Sequence, residues 1–279
     1  MKKYLFLWLM LLSAASAWGE IRVTDTDGET LPYASVKGLT KKAGMLTDSL
    51  GVVAGCPEGI VSTDTVVVSY PGYSPVRLTW GELEARGGVS LTDKGIKLET
   101  VTVLPRKIKR EVKGKKHSGG LILGSYDDVK GMNCGYEFHA KPRHKNLLSS
   151  VGFYYKEVDN PNFRTMSRMK LRVQVYDMRN VTKDYTNQFI AVGTPFYIDY
   201  VYDASNDGKF TYQLPELIEL PQDAMVAIEC VEDVPSGEAW VYRSNMVGKS
   251  CWSQSLKERF WMKEPFASPF FAEVLDVKD

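Results

Sequence analysis

The chain has few of the residues from which metal sites are built, and almost no net charge. Its 279 residues include four cysteines and three histidines, and 35 basic residues nearly balance 34 acidic ones. The cysteine spacings are too wide and irregular for a zinc site. His139 and His144 are five positions apart, not the four of a helical zinc pair. Because balanced charge creates no field that attracts nucleic acid, we predict no metal, no cofactor and no nucleic-acid partner.

The sequence also lacks the short motifs of common catalytic sites. A serine nucleophile elbow needs G-x-S-x-G, and the nearest match, at 248–252, lacks the second glycine. A phosphate-binding loop at the same Gly-Lys-Ser would need a glycine where Arg243 stands. A hydrolase would need converging carboxylates, such as Asp199 with Glu229 or Glu232, but alternating strands bring carboxylates together by chance. We therefore predict that the protein is not an enzyme.

The first seventeen residues have the form of a leader peptide. Lys2 and Lys3 precede an apolar run at 4–12, and Ala15-Ser16-Ala17 has the small-x-small form that signal peptidase cleaves. The run is shorter than the ~20 residues that span a bilayer, and no later stretch of the sequence has that length and character. No cysteine lies near the cleavage site, so we do not expect a lipid modification there. The expectation is a signal peptide over 1–17 and an exported protein.

Aromatic residues are abundant and helical periodicity is scarce, which favours β-sheet. The chain has 15 tyrosines, 11 phenylalanines and six tryptophans, and such side chains pack well on a pleated surface. The β-branched run at 65–70 predicts a strand buried on both faces. Residues 169–176 alternate, with apolar side chains facing one way and Lys170, Arg172 and Gln174 the other. Short strands between turn signals predict an all-β protein made of sandwiches.

Between residues 21 and 73 the sequence carries a characteristic order of turn and strand motifs. They are Asp27-Gly28, Leu31-Pro32, Ala34-x-Val36, Thr47-Asp48 with Gly51, and Ser69-Tyr70 with Gly72-Tyr73. This order resembles the carboxypeptidase regulatory-like domain, a transthyretin-like (Ig-like) β-sandwich of secreted and outer-membrane proteins of Bacteroidetes. The resemblance implies a non-catalytic sandwich over 18–104, closed by a strand at 95–103. It also implies a protein of the periplasm, the outer membrane or the cell exterior.

The second half of the chain, residues 119–279, predicts a jelly-roll-like β-sandwich. The segments LRVQVYDM at 171–178 and LPELIELPQDAMVAIECVED at 214–233 resemble the β-sandwich that follows the regulatory-like domain in short Bacteroidetes proteins of unassigned activity. Within the second segment, 214–220 is the one stretch with helical character, and prolines frame it.

A basic segment separates the two predicted sandwiches. Seven of the twelve residues from 105 to 116 are lysine or arginine, and they form no periodic apolar face. A block of like charges repels itself and stays solvated, so 105–118 is predicted to be an interdomain linker. The alternative is a peripheral contact with anionic outer-membrane lipid, because clustered basic residues are attracted to anionic surfaces.

Two interpretations of the cysteines are open. Cys230 shares a strand face with Val226 and Ile228, so a buried free thiol is one interpretation, since free cysteine behaves as a small apolar side chain. A Cys230–Cys251 disulfide is the other, because an exported protein encounters oxidising conditions. This disulfide would require the strands that carry Cys230 and Cys251 to be neighbours.

The last forty residues contain the one sign of a ligand site. Trp240, Tyr242, Trp252 and Trp261 lie among polar residues, and flat aromatic faces beside hydrogen-bonding groups suit sugar rings. Exposed on one face, these four would contact a glycan; buried, they would be sandwich core. The leading expectation is a non-catalytic cell-envelope interaction or scaffold protein whose partner is an envelope protein or glycan. The alternative is a carbohydrate-binding module that captures glycans.

Overall fold

The computed structural model of the protein describes residues 20–95, 108–114, 122–126, 128–179, 189–206, 208–244, 251–258, 261–264 and 268–278. Residues 1–17, the predicted signal peptide, lie outside these ranges. The regular structure is almost entirely β-strand, which confirms the predicted all-β class. In the described part of the chain, no helix has the length and apolar character to cross a bilayer.

The first sandwich is built from eight short strands. They are β1 (Ile21–Asp25), β2 (Ser35–Gly38), β3 (Gly44–Leu46), β4 (Val52–Val53), β5 (Thr65–Ser69), β6 (Tyr73–Ser74), β7 (Val76–Thr79) and β8 (Gly88–Asp93). One sheet has the order β4-β1-β8-β6 and the other β3-β2-β5-β7. The core between them includes Val23, Val36, Val66, Leu83 and Leu91.

Strand β5 confirms the strand predicted at 65–70 but not its burial on both faces. Val66 and Val68 are fully buried, whereas Thr65, Val67 and Ser69 are half-buried. In a two-layer sandwich each sheet turns only one face to its partner sheet. The second face of β5 borders the other domain instead, where Val67 and Ser69 line a cleft.

A short helix, α1 (Trp80–Arg86), connects β7 to β8 and has no counterpart in the sequence predictions. Thr79 and Glu82 form a capping box, and Gly87 ends the helix with a φ of 67°. Trp80 and Leu83 extend from it into the core. The closing strand predicted at 95–103 falls almost wholly outside the described residues, and β8 is the last strand of this sandwich that the structure describes.

The second sandwich contains long strands. They are β9 (Ile108–Lys113), β10 (Ile122–Tyr126), β11 (Asn133–His139), β12 (His144–Tyr154), β13 (Arg164–Thr165), β14 (Arg168–Asp177), β15 (Ile190–Val201), β16 (Lys209–Glu219), β17 (Asp223–Cys230), β18 (Glu238–Ser244), β19 (Cys251–Gln254), β20 (Met262–Glu264) and β21 (Phe270–Lys278). A six-stranded sheet has the order β15-β14-β17-β11-β19-β20, a four-stranded sheet β16-β12-β21-β9, and a small sheet β10-β18-β13. Apolar side chains such as Phe138, Phe153, Ile228 and Phe270 fill the core.

Part of the predicted basic linker is an edge strand of the second sandwich. Strand β9 pairs antiparallel with β21 along its whole length. The prediction of a solvated linker is therefore wrong for 108–113. An edge strand can pair through its backbone while its charged side chains stay in water; Lys109 and Arg110 are exposed, and Arg110 forms a 3.0 Å ion pair with Glu273.

The helical character predicted at 214–220 is also wrong, because β16 extends through Pro215 to Glu219. Among the described strands, β16 lies at the edge of its sheet and pairs with β12 alone. Proline lacks the N–H of a ladder bond, and an edge position does not need it. Tertiary pairing thus overrides the local pattern.

Candidate functional site

The two sandwiches meet along a small apolar cluster and enclose a cleft beside it. Tyr33 and Leu46 of the first sandwich pack with Val231 of the second, and Tyr197 and Leu256 border them. The adjoining cavity has a volume of about 760 Å³. Its walls come from β2, β5 and neighbouring loops on one side and from β14, β17 and the 255–258 turn on the other. We call this cavity the interdomain cleft.

A buried ion pair of the second sandwich forms part of the cleft floor, and its arginine also binds the first sandwich. Arg172 of β14 donates two hydrogen bonds to Glu229 of β17, at 3.1 and 2.5 Å, and a third at 2.6 Å to the backbone oxygen of Tyr33. Arg172 and Glu229 are both buried. Burial disfavours the charged guanidinium, but the negative charge of Glu229 outweighs this and raises the pKa of Arg172 above its usual range.

Lys37 is a second cation at the floor of the cleft. Its Nζ donates hydrogen bonds to the backbone oxygens of Ser255, at 3.1 Å, and Glu258, at 3.2 Å. Burial, together with the nearby charge of Arg172, lowers the pKa of Lys37 to about 8, although Glu229 and Glu258 act in the opposite direction. The ammonium group is therefore less stable in this position than in water.

Tyrosine hydroxyls provide further polar contacts across the domain boundary. The hydroxyls of Tyr70 and Tyr197 are 3.0 Å apart, and Tyr197 donates to the backbone oxygen of Pro32 at 3.1 Å. Tyr33 donates to Glu232. Burial raises the pKa of Tyr70, and likewise that of Tyr33, above the usual range, so these two hydroxyls stay protonated. The two sandwiches are thus held in one arrangement.

The four aromatic residues at the end of the chain are buried, as the sandwich-core interpretation predicts, so the glycan-platform alternative is wrong. Trp240 is 0% exposed, Trp252 1%, Trp261 7% and Tyr242 7%. Trp240 and Tyr242 belong to the main core, whereas Trp252 and Trp261 pack in a separate cluster with Met225. The indole N–H groups of Trp240 and Trp252 donate to the Tyr154 backbone oxygen and to Glu137, so these buried rings keep a hydrogen bond for their polar edge.

The structure confirms the buried free thiol of Cys230 and contradicts its disulfide with Cys251. None of the four cysteines, all of which lie in the described residues, forms a disulfide, and Cys230 contacts the Met169 sulfur at 3.6 Å. Strand β11 separates β17, which carries Cys230, from β19, which carries Cys251, so the two strands are not neighbours. The partner of Cys251 is Cys134: a hydrogen bond from the Cys134 thiol lowers the pKa of Cys251, while burial raises that of Cys134.

The carboxylates considered for a hydrolase have separate partners. Glu229 binds Arg172, Glu232 accepts from Tyr33, and Asp199 forms a 3.0 Å ion pair with Lys170. Each is therefore committed to a different local contact. Among the described residues there is no group of three histidine, cysteine, aspartate or glutamate side chains placed to hold a metal ion.

Sequence reasoning missed Lys37 and Arg172 as site residues. In the strand pattern Arg172 alternates with apolar neighbours and so falls on the face that a lone sandwich would turn to water. The structure buries that face, where Gln174 is as inaccessible as the apolar residues of β14. Nothing in the alternation signals that another domain covers it, since polar side chains occupy solvated and interfacial faces alike.

No protein-family model matches the chain, and no curated protein matches it. Two solved structures align with 91% of the chain at 12% identity. One is a clostridial cysteine protease, Cwp84, after propeptide cleavage, covered to 70% with a TM-score of 0.32. The other contains the cysteine protease and lectin-like domains of Cwp84, a surface layer associated protein of Clostridium difficile, covered to 62% with a TM-score of 0.30. The likeness is too low to transfer an activity to this chain.

Proposed function

We propose that the protein is a non-catalytic, exported interaction protein of the cell envelope, built on a carboxypeptidase regulatory-like domain, and that it binds its ligand in the interdomain cleft. The observation that carries the proposal is the construction of the cleft. Both sandwiches supply its walls, and Arg172, Glu229 and the Tyr33 backbone oxygen hold its floor in one arrangement. A pre-formed concavity between domains is a preferred place for a binding site. The leader and the motif order at 21–73 support the compartment and the domain type.

A carbohydrate-binding module is the second candidate. The four buried aromatic residues of the last forty positions give it no support. Its support comes from other rings, since Tyr70, Tyr73, Tyr176 and Phe189 line the interdomain cleft. A captured glycan would therefore bind between the domains and not on the surface of the second sandwich.

Site-specific photo-crosslinking in cells that express the full chain tests the proposal. A photoreactive amino acid replaces Lys42, on the exposed rim of the cleft, or Lys109, which is exposed on β9 outside the cleft. We expect the Lys42 position to form an adduct with an envelope component and the Lys109 position to form none. The adduct component should keep its mass after incubation with the purified protein, because no reaction is catalysed. Equal adducts from both positions, or a chain retained in the cytoplasm, would contradict the proposal.

A further inference from the structure

The lining of the interdomain cleft is strongly basic although the chain as a whole is not. Over the full sequence 35 basic residues face 34 acidic ones. The cleft is lined by two acidic residues, Glu229 and Glu258, and by seven basic residues, Lys37, Lys41, Lys42, Arg77, Lys94, Arg172 and Lys257. Of the rim residues, Lys42, Arg77, Lys94 and Lys257 form no ion pair with any described residue. A cleft lined by one sign of charge concentrates ligands of the opposite sign.

The floor of the cleft retains hydrogen-bonding capacity. Arg172 uses three of its five N–H groups on Glu229 and Tyr33, and Lys37 uses two of its three on backbone oxygens. The remaining donors have no partner among the described residues. Ser35 and Asn133 are also lining residues of the cleft, and their Oγ and Oδ1 atoms are buried and make no hydrogen bond in the described part of the chain. Buried polar atoms normally have partners, so this group points to a polar ligand.

Aromatic rings form another part of the wall. Tyr70 and Tyr73 pack edge to face with centroids 5.4 Å apart, and Tyr176 and Phe189 stand in the same way at 6.2 Å. All four line the cleft. The volume of about 760 Å³ lies within the roughly 300–1,000 Å³ of small-molecule sites. Ring faces suit the C–H surface of a sugar, while cations suit carboxylate or phosphate oxygens.

Resting on the proposed function of the cleft as a binding site, we propose that its ligand is an acidic saccharide. The carboxylate or phosphate group accepts hydrogen bonds from Arg172 and Lys37 at the floor. The sugar ring packs against Tyr70 and Tyr73, and its hydroxyls donate to Asn133 Oδ1 and Ser35 Oγ. Rim cations such as Lys94 draw the anion into the cleft. Neither Arg172 nor Lys37 needs to leave its present partners to do this.

Isothermal titration calorimetry with four probes at constant ionic strength tests this inference on the full mature chain. The probes are digalacturonic acid, mannose 6-phosphate, neutral cellobiose and inorganic phosphate. We expect one acidic sugar to bind at least tenfold more tightly than cellobiose and inorganic phosphate, a difference of about 1.4 kcal/mol. The two acidic probes distinguish a carboxylated from a phosphorylated ligand. Failure of both to bind, or equal binding by cellobiose, would overturn the inference.

Charge-reversal variants of the rim locate the site without disturbing the floor. Arg77→Glu and Lys94→Glu each alter an exposed side chain in the cleft, and Lys109→Glu makes the same change on β9. We expect the combined Arg77→Glu/Lys94→Glu variant to weaken binding of the acidic sugar about tenfold, with a smaller salt dependence. Lys109→Glu should bind as the unaltered protein does. Equal affinity of the combined rim variant and the unaltered protein for the acidic sugar would overturn the inference. The crosslinking experiment at Lys42 tests the proposed function independently. An adduct there, together with a failed calorimetry test, would mean that the cleft binds a ligand that is not an acidic saccharide.

Discussion

Arg172 is buried at a position where an isolated sandwich would expose it to water. Its guanidinium loses its hydration on burial. It donates hydrogen bonds instead to Glu229 and to the backbone oxygen of Tyr33, which belongs to the other domain. Removing an ion from water costs several kcal/mol unless its partners are well placed. A docked arrangement that lacked these partners would leave the guanidinium buried and unpaired. We infer that the pair specifies the docking geometry as well as stabilising it.

Replacing one partner of the Arg172–Glu229 pair should lower the free energy of unfolding more than replacing both partners together. We expect Arg172→Met or Glu229→Met alone to lower the free energy of unfolding by about 3–5 kcal/mol, because each leaves a buried group unpaired. The double variant Arg172→Met/Glu229→Met should lose far less than the sum of the two single losses. Urea denaturation followed by tryptophan fluorescence measures all three. Additive losses would mean that the two side chains are not coupled.

The cysteine pair of β11 and β19 should be the one that oxidises. With oxidised glutathione, the Cys134 and Cys251 thiols are expected to form a disulfide, while glutathione disulfide is reduced to two thiols and carries away the electrons and protons. Peptide mapping without reduction should link these two residues and find Cys230 free. Cys230→Ser should leave the link intact and Cys251→Ser should abolish it. A Cys230–Cys251 peptide would contradict the strand order described above.

Among the elements, β9 shows how a highly charged segment can be structural. It extends the four-stranded sheet by pairing with β21, and Lys113 lies 5.7 Å from the ring centre of Phe138. Basic side chains on an edge strand also discourage pairing with other molecules. The contact with anionic outer-membrane lipid stays a prediction: Lys109, Arg110 and Lys113 lie on β9, and the other basic residues of 105–118 lie outside the described residues.

Gly114, directly after β9, should be essential for this pairing. Its φ is +80°, and a Cβ there would lie 2.1 Å from the Phe270 backbone oxygen. We expect Gly114→Ala to release β9 and to lower stability by roughly 1–3 kcal/mol beyond the backbone strain. Hydrogen exchange of the 108–113 amides measures the release. Gly95→Ala is the matched control, because Gly95 has a φ of +69° and open space around it. Equal protection of 108–113 in both variants would refute the role of Gly114.

In the whole molecule, the apolar cluster of Tyr33, Leu46 and Val231 ties the two cores together. Gly44 allows the close approach, since a Cβ there would lie 2.4 Å from the Leu256 backbone oxygen. We expect Gly44→Ala to weaken docking by about 1–3 kcal/mol through overpacking. Calorimetry should then resolve two unfolding transitions where the unaltered protein has one. Leu50→Ala, at a site that is 61% exposed, should keep one transition. A single transition in both variants would contradict this role of Gly44.

Lys37 should make the stability of the docked molecule depend on pH. Its pKa is 10.5 when unperturbed and about 8 in the fold, so between these values the unfolded chain binds more protons than the folded one. Stability therefore rises with pH through this window. We expect the difference in unfolding free energy between the unaltered protein and Lys37→Met to grow by on the order of 3 kcal/mol from pH 8 to 10.5. Tyrosine ionisation is common to both proteins and cancels. A constant difference, measured by urea denaturation across this range, would refute the assignment.

Strand positions such as 65–70 and 169–176 were predictable, because alternation and β-branched runs are local properties. The register of β16 through Pro215 was not, since an edge position is known only once neighbouring strands are placed. The same holds for Trp240 and Trp252, whose patterns are compatible with a surface platform and with a core. Lys37 and Arg172 were missed because the domain that buries them lies elsewhere in the chain.

The sequence by itself determined the all-β class, through its periodicity and aromatic content. Only the tertiary structure decided which faces are covered, which cysteines are neighbours, and that a segment predicted to be a linker contributes an edge strand. Periodicity reports which side chains share a face, and that is a local property. What a face meets depends on contacts between residues far apart in the chain, and those contacts bring Lys37, Arg172 and Glu229 together in one cleft.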